Sequence, residues 1–231
     1  MKLAGIDIVG LTGNHLLDAG APALAQTLDL YAKNGLHYYG GGRDAADAAQ
    51  TRYVTDHGNR LAFLGTNSFG PKGDWAATTQ PGARRYDPTE LARDIADARR
   101  DAGVVLVEHQ AEETYTYAPS AHNLRELRAS LAAGADVVTG VQAHQPQAIE
   151  FSPDGKRLIL YGLGNLFFDQ MFSPGVRQGL IARHTIYKGR LIQTELLTTM
   201  LENYAQPRWA TPAERAAILT AVFAASRFPG Y

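Results

Sequence analysis

The chain has 231 residues, and its 22 basic and 23 acidic side chains leave a formal net charge of −1. This balance gives no reason to expect nucleic acid or a membrane surface as the main partner. Hydrophobic residues make up 45% and charged residues 19%, which is typical of a globular chain and argues against disorder. Cysteine is absent, so disulfides, thiolate nucleophiles and cysteine-bound zinc are excluded.

Membrane-directing segments are not evident in the sequence. No apolar run reaches the roughly 18 residues that a spanning helix needs. The first residues do not read as a signal peptide, because Asp7 interrupts the apolar stretch and no cleavage pattern follows. A strand is therefore predicted to begin almost at Met1, with no lead-in.

The first half of the chain alternates predicted strands and helices. Apolar runs, helix-start signals such as Asp87-Pro88, and glycine stops at Gly35 and Gly134 define these elements. Predicted strands cover residues 5–11, 37–39, 53–55, 61–66, 104–107 and 136–138, and predicted helices cover residues 21–34, 44–50, 87–102 and 120–133. Residues 67–86 are predicted to form a long loop, which in a compact domain is usually functional or mobile.

The second half is predicted to be mostly antiparallel. Hairpins are predicted over residues 148–161 and 179–198, and a terminal helix over residues 212–226. No repeat or linker interrupts the chain. The pattern predicts one α/β domain over residues 1–231, with a mixed sheet and a layered architecture.

Three predicted strand ends carry histidine in a polar cluster. These are His15, His109 and His144. Ligands gather beyond the carboxyl ends of strands in open α/β sheets, so the three imidazoles are candidates for one site. Imidazole and amide oxygen suit Mn, Fe or Zn. A single histidine at a strand end is more often a solvated or hydrogen-bonded loop residue, and the spacing alone leaves both interpretations open.

Five segments in order resemble the CapA family of capsule (poly-γ-glutamate) synthesis proteins. They are GNHLLDAG from Gly13, YGGG from Tyr39, VVLVEHQAEE from Val104, GADVVTGVQAHQPQAIE from Gly134 and YGLGNLFFDQ from Tyr161. The resemblance covers roughly residues 3–185, and the remaining residues 186–231 hold the last hairpin turn, strand and helix.

The resemblance implies a calcineurin-like metallophosphatase fold, in which two stacked mixed β-sheets are flanked by helices. It also implies a divalent metal pair that would activate water for hydrolysis or for acyl or phosphoryl chemistry. The implied roles are metal binding by Asn14, His109, His144 and Gln142, general acid catalysis by His15 oriented by Asp18, positioning of water or substrate by Glu113, and a bordering loop with Asn165, Asp169 and Gln170.

Two departures from the family pattern weaken the implied metal centre. Gln142 stands where the family has a histidine, and Gln110-Ala111 stands in place of Trp-Gly. The family's strand ending in Gly-Asp, which supplies acidic ligands, has no counterpart before Asn14. Three explanations are open: the sequence is a fragment that lacks the first strand, its start is assigned too late, or the protein has lost these ligands. We therefore expect an incomplete metal site. We also expect an unpaired sheet edge beside residues 5–11, which predicts poor solubility or a homodimer.

Several functions remain open at this point. The leading hypothesis is metal-assisted chemistry on an anionic polymer, peptide or phosphoester. The alternatives are a non-catalytic binding or assembly component of membrane-bound polymer synthesis, and a metal-independent His15–Asp18 acid–base enzyme. The run Gly40-Gly41-Gly42 could also bind the phosphates of a nucleotide, but a tight turn is the better interpretation of these glycines. Tyr115, Tyr117 and Trp75 are candidates for ligand stacking, but packing is the better reading. The resemblance implies an exported or membrane-anchored protein.

Overall fold

The computed structural model describes residues 2–204 and 206–228, so Met1, Ala205 and residues 229–231 of the predicted domain lie outside the described residues. The strands are β1 Ile8–Gly10, β2 His37–Tyr39, β3 Gly41–Gly42, β4 Arg52–Asp56, β5 Asn59–Asn67, β6 Gly82–Ala83, β7 Val104–Thr114, β8 Val137–Ala143, β9 Ile149–Phe151, β10 Leu158–Leu160, β11 Gln178–Tyr187, β12 Arg190–Glu202 and β13 Gln206–Trp209. The helices are α1 Ala21–Asn34, α2 Ala45–Ala48, α3 Pro88–Asp101, α4 Ala121–Ala132 and α5 Pro212–Ala225, with 3-10 turns at Lys2–Ala4, Lys72–Asp74 and Gly175–Arg177.

A six-stranded mixed sheet forms the centre of the molecule, in the order β4-β5-β7-β8-β10-β9. Its four inner strands are parallel, and the outer strands β4 and β9 are antiparallel to their neighbours. Parallel strands bring their carboxyl ends to one edge, which is where ligands bind in such sheets. The polar loops that follow β7 and β8 therefore meet at the same edge.

Helices α3 and α4 cover one face of this sheet. Leu91 and Ile95 of α3 and Leu127 of α4 are buried with Val105 and Val138 of the strands in one apolar cluster. Each of these side chains loses its contact with water, which stabilises the fold by about 1.5–3 kcal/mol per large residue. This layer fixes which side chains of β7 and β8 face the helices.

A second sheet, in the order β11-β12-β13, stacks on the opposite face together with α5. Leu158 and Leu160 of the central sheet pack with Leu180 of β11, Met200 of β12 and Val222 of α5. The predicted α/β fold, with stacked sheets flanked by helices, is confirmed. The second sheet is antiparallel throughout its described strands. No helix among the described residues is both long and apolar enough to cross a membrane.

A small parallel pair, β1 and β2, lies with α1 beside the central sheet. Val9 and Leu11 pack against Leu24 and Leu28 of α1. In the described part of the chain β1 pairs with β2 alone, so its other edge has no strand partner, as expected. Dimerisation through that edge stays a prediction.

The glycine run forms a tight connection and not a phosphate cradle. Gly40 has a left-handed φ of 74°, and Gly41 and Gly42 pair with β6. A Cβ on Gly41 would lie 2.4 Å from the carbonyl oxygen of Leu11, so only glycine fits there. The following helix α2 has four residues, which corrects the predicted helix over residues 44–50.

The predicted cap of α3 and the predicted hairpins are present in the structure. The Asp87 carboxylate accepts hydrogen bonds from the backbone N–H groups of Thr89 and Glu90 and caps α3. The β4–β5 turn has positive φ at His57 and Gly58, as expected for a two-residue hairpin turn. The predicted hairpins β9–β10 and β11–β12 are confirmed.

Other strand limits differ from the prediction, and one difference matters for the site. The predicted strand over residues 104–107 continues to Thr114, and that over residues 136–138 continues to Ala143. His109 and Gln142 therefore lie within strands and not beyond their ends. The first strand, by contrast, shortens to Ile8–Gly10, because Gly5 adopts a left-handed φ of 71°. Strand β6 interrupts the loop predicted over residues 67–86, and β13 was not predicted.

Replacing Gly140 with alanine tests the packing between β8 and β10. The added Cβ would lie 2.2 Å from the backbone carbonyl oxygen of Tyr161, so the strands must move apart. We expect Gly140→Ala to lower the free energy of unfolding by about 1–3 kcal/mol in urea titrations. Gly73→Ala, with nothing within 4 Å of the added carbon, is the control and should change it little. Equal stability of the two variants would contradict the described packing.

Candidate functional site

A cleft of about 380 Å³ opens at the carboxyl edge of β7 and β8. The loop after β1 forms one wall, and the segment after β10 forms another. It is lined by Gly10, Leu11, Gly13, Asn14, His15, Leu16, Gln110, Gly140, Val141, Gln142, Ala143, His144, Leu163, Gly164 and Asn165. The predicted residues Asn14, His15, Gln142, His144 and Asn165 are thus brought together. We call this the amide-lined cleft.

Three neutral amide side chains are hydrogen-bonded to one another in this cleft. The Gln110 Nε2 group donates to Asn14 Oδ1 at 3.1 Å and to Gln142 Oε1 at 2.8 Å. Gln142 also has a left-handed backbone φ of 84°, which costs about 1–3 kcal/mol for a residue other than glycine. Strain of this kind is common at functional sites, and here it sits on a residue that lines the cleft.

His144 stands between an amide and a carboxylate. Its Nδ1 lies 3.0 Å from Asn165 Oδ1, and Asn165 Nδ2 donates to the carbonyl oxygen of Val176 at 2.9 Å. Because Asn165 presents its oxygen, His144 donates from Nδ1, and Nε2 is left for another partner. Glu113 Oε1 lies 3.7 Å from that Nε2.

Aromatic rings hold the His144 imidazole from both sides. Tyr115 stacks on it with ring centroids 5.2 Å apart, and Phe168 stacks with centroids 5.1 Å apart. The Tyr115 hydroxyl donates to Glu113 and lies 3.4 Å from Gln170 Nε2. Tyr115 therefore contacts three predicted site residues, His144, Glu113 and Gln170.

The other two predicted aromatics, Tyr117 and Trp75, do not line the amide-lined cleft. The Tyr117 hydroxyl donates to Gln178, and the Trp75 indole donates to Asn67 at 2.9 Å. Asp169, in the predicted bordering loop, is exposed to solvent.

His15 and Asp18 form the predicted contact on one turn of chain. His15 Nδ1 lies 2.8 Å from Asp18 Oδ2, and the two side chains are 70% and 66% exposed. His15 lines the amide-lined cleft. A carboxylate on Nδ1 orients the ring and leaves Nε2 for proton transfer. An exposed pair of this kind adds little to stability.

His109 lies on the opposite face of β7 and does not join the cleft. Its Nε2 is 3.0 Å from Glu126 Oε2 of α4, its ring packs against Tyr86, and the side chain is fully buried. Glu126 also lies 3.1 Å from His122. Alternation along the strand turns Gln110, and not His109, toward the amide-lined cleft.

A buried network supports the wall that carries Asn14. The Thr12 and Tyr39 hydroxyls donate to the two oxygens of Glu108, at 2.5 and 3.0 Å. Burial raises the pKa of Glu108, and these two hydrogen bonds oppose the rise. Asn67 donates to the Thr12 carbonyl oxygen at 2.6 Å. The segment leading to Asn14 is therefore held from both sides.

Comparison with family models decides the family. The model described as "Bacterial capsule synthesis protein PGA_cap" matches residues 1–170. The chain belongs to this capsule synthesis family.

Curated relatives of this PGA_cap chain carry related descriptions. It is 28% identical over 211 residues to the capsule biosynthesis protein CapA of Bacillus anthracis, a match covering 90% of this chain and 51% of the relative. It is 29% identical over 185 residues to the PGA biosynthesis protein CapA of Bacillus subtilis (strain 168), covering 80% and 48%. The chain thus spans about half the length of these relatives.

Solved structures support the fold of this PGA_cap chain. A hypothetical protein from Thermus thermophilus matches with a TM-score of 0.56 at 16% identity, over 85% of this chain and 77% of that one. A "Putative 5'-Nucleotidase" from Staphylococcus aureus matches with a TM-score of 0.51 at 11% identity, over 93% of this chain and 41% of that one. These matches show that the chain shares the fold of these two proteins.

The side chains of the amide-lined cleft do not fit the metal pair that the resemblance implies. Within residues 2–204 and 206–228, no three His, Asp or Glu side chains converge as a metal ion requires. Asn14 and Gln142 already direct their oxygens at the Gln110 amide. A divalent cation held by neutral amides and the imidazoles of His15 and His144 lacks the negative charge that its usual carboxylate ligands supply.

Gln110 was not predicted as a site residue because the predicted strand ended at residue 107, seven residues before the end of β7 at Thr114. The signal was present, since no glycine or proline breaks the sequence between Val104 and Tyr117. Extending the strand places Glu108 and Gln110 on one face and His109 on the other. Gln110 then lies on the cleft face with Gln142 of the adjacent strand β8.

The buried His109 imidazole predicts a loss of stability on acidification. Burial lowers its pKa, although the Glu126 carboxylate opposes the shift. Its Nδ1 has no hydrogen-bond partner among the described residues, so protonation there gains no acceptor. Below a pH of about 6.5, the unfolded chain therefore binds a proton at His109 more readily than the folded protein does. The free energy of unfolding consequently decreases as the pH is lowered.

The His109→Gln variant isolates this effect, because glutamine keeps a donor for Glu126 but does not titrate. Urea unfolding at pH 7.5 and 5.5 should show a smaller loss of stability in the variant than in the wild type. Exposed His37→Gln is the control and should lose stability as the wild type does. The same loss in all three proteins would show that His109 is not buried as a neutral imidazole.

Proposed function

We propose that this chain acts in capsule polymer synthesis as a binding component, and that the amide-lined cleft takes an amide-linked segment of a glutamate polymer. The hydrogen-bonded trio of Gln110, Asn14 and Gln142 carries the proposal. Primary amides each offer two donors and an acceptor, which match the carbonyl and N–H groups of an amide-linked chain. The family match and the names of its relatives supply the polymer class.

The electrostatics of the amide-lined cleft support a carboxylate-bearing ligand. None of its described lining residues is an aspartate or glutamate, so a polyanion meets no lining carboxylate. His144 and His15 both line the cleft, and an imidazole N–H can donate a hydrogen bond to a carboxylate. Association with membrane-bound synthesis machinery stays a prediction of the family resemblance.

A second candidate is acid–base chemistry on the bound segment without a metal. The contact of 2.8 Å between His15 Nδ1 and Asp18 Oδ2 at the cleft favours it. In that case His15 Nε2 exchanges a proton with the ligand. Turnover of a glutamate oligomer that is lost in His15→Ala but kept after chelator treatment would favour this candidate over binding alone.

Calorimetry with a γ-linked glutamate tetramer tests the binding proposal. We expect Gln142→Ala to raise the Kd about fivefold, because a lost neutral hydrogen bond contributes about 1 kcal/mol. Exposed Gln26→Ala on α1 is the matched control and should leave the Kd unchanged. The α-linked tetramer has the same charges but another backbone spacing, so its Kd should not respond to Gln142→Ala. An equal Kd for wild type and Gln142→Ala with the γ-linked tetramer would refute the role of the cleft.

Elemental analysis tests the alternative hypothesis that the amide-lined cleft binds a metal ion. After incubation with Mn, Fe or Zn and desalting, we expect well below one equivalent of metal per chain, since amide ligands hold these ions weakly. Stoichiometric metal in the wild type that disappears in His144→Ala would overturn the proposal. It would favour metal-assisted hydrolysis or acyl or phosphoryl chemistry at this cleft.

A further inference from the structure

A second concave surface lies at the other edge of the central sheet, before the parallel strands begin. It encloses about 700 Å³, in the size range of small-molecule sites. The end of α3, the β9–β10 turn and the β11–β12 turn form its walls. Its charged lining residues are Arg99, Asp136, Asp154, Lys156, Arg157 and Arg190. We call this the basic cleft.

The walls of the basic cleft are fixed by close backbone contacts. A Cβ on Gly103 would lie 2.6 Å from the Cα of Gly189, so the β11–β12 turn seats directly on the start of β7. The Gly189 N–H also donates to Asn59 Oδ1 at 2.9 Å. These contacts hold Arg190 beside the end of α3, and the cleft exists before any ligand arrives.

Both carboxylates of the basic cleft already have donors. Asp136 accepts two hydrogen bonds from Arg99, at 2.5 and 2.7 Å, and one from the Val105 N–H at 2.7 Å. Asp154 accepts from the Ser152 hydroxyl at 2.5 Å and from the Lys156 backbone N–H. Neither carboxylate forms an ion pair with Lys156, Arg157 or Arg190 in the described part of the chain. The Ser152 hydrogen bond lowers the pKa of Asp154, and the charges of Lys156 and Arg157 add to this shift.

The remaining cations keep free donors. Lys156 and Arg190 make no ion pair within the described part of the chain. Arg157 uses one nitrogen, Nη1, to bind the Leu131 carbonyl oxygen at 2.8 Å. Its other guanidinium donors stay available in a fixed position, which favours bidentate recognition of carboxylates.

We propose that the basic cleft is a binding site for a chain of several carboxylates, recognised by Lys156, Arg157 and Arg190. Four cations face two carboxylates that are already engaged, so the local charge is positive although the whole chain carries −1. The cleft is larger than one oxyanion needs and fits an extended acidic segment. The site is distinct from the amide-lined cleft and does not depend on the function proposed there.

Fluorescence anisotropy with an α-linked glutamate tetramer tests this site, because charge recognition does not require the γ linkage. We expect salt-sensitive binding that Lys156→Glu/Arg190→Glu weakens at least about tenfold, since attraction becomes repulsion at both positions. The control Lys33→Glu/Arg227→Glu changes the net charge equally at exposed positions outside both clefts and should alter the Kd less than about twofold.

The outcomes separate this proposal from the one for the amide-lined cleft. Gln142→Ala should leave binding of the α-linked tetramer unchanged. Equal weakening by the two charge-reversed proteins would show a response to net charge and overturn the proposal. No binding by the wild type, or a loss in Gln142→Ala with none in Lys156→Glu/Arg190→Glu, would also overturn it. Folding of each variant is checked by its urea midpoint.

Discussion

The alternation of side chains along β7 is the constraint on which the rest of the site depends. Val105 and Val107 are buried in the cluster that α3 and α4 cover, so the register of β7 cannot slip by one residue without exposing them. With that register, His109 is turned to Glu126 in the helix layer and Gln110 to the amide-lined cleft. The chemistry of the cleft is therefore decided by core packing several residues away, and the imidazole that looks like a ligand in the sequence serves the core.

The amide-lined cleft is neutral at its centre because both adjacent strands, β7 and β8, place a glutamine there. Gln110 and Gln142 satisfy each other without a cation, so the cleft is stable without the positive charge that a set of carboxylates would demand. A ligand has to compete with these internal hydrogen bonds, which favours one that replaces them by equivalent bonds. An amide-linked chain offers both N–H donors and carbonyl acceptors for this exchange, whereas a fully ionised phosphoryl group offers acceptors only. The left-handed backbone of Gln142 places its side chain in the hydrogen-bond network with Gln110, although this conformation costs free energy locally.

Much of the fold follows from local signals in the sequence, and the site follows only in part. Hairpins and helix caps depend on neighbouring residues, so Asp87 and the turn at His57 and Gly58 act as predicted. The length of β7 depends on pairing with β5 and β8, which are distant in sequence, and this is why its end was placed too early. Asn14, His15 and His144 were found because each follows a strand closely. Gln110 and the arginines of the basic cleft were not predicted as site residues. Each joins its cleft only because segments that are distant in sequence come together in the fold.

The polarity of the parallel strands also separates the two clefts. The amide-lined cleft lies beyond the carboxyl ends of β7 and β8, and the basic cleft lies before their amino ends. Gly103 of the basic cleft, which directly precedes β7, and Gln110 of the amide-lined cleft are seven residues apart, which is roughly 23 Å at about 3.3 Å per residue. If both proposals hold, a polymer long enough to span this distance would reach both clefts at once. Joining two weak contacts through one chain raises the overall affinity without any new contact. A long glutamate polymer would then be held by its backbone at one edge of the sheet and by its charges at the other.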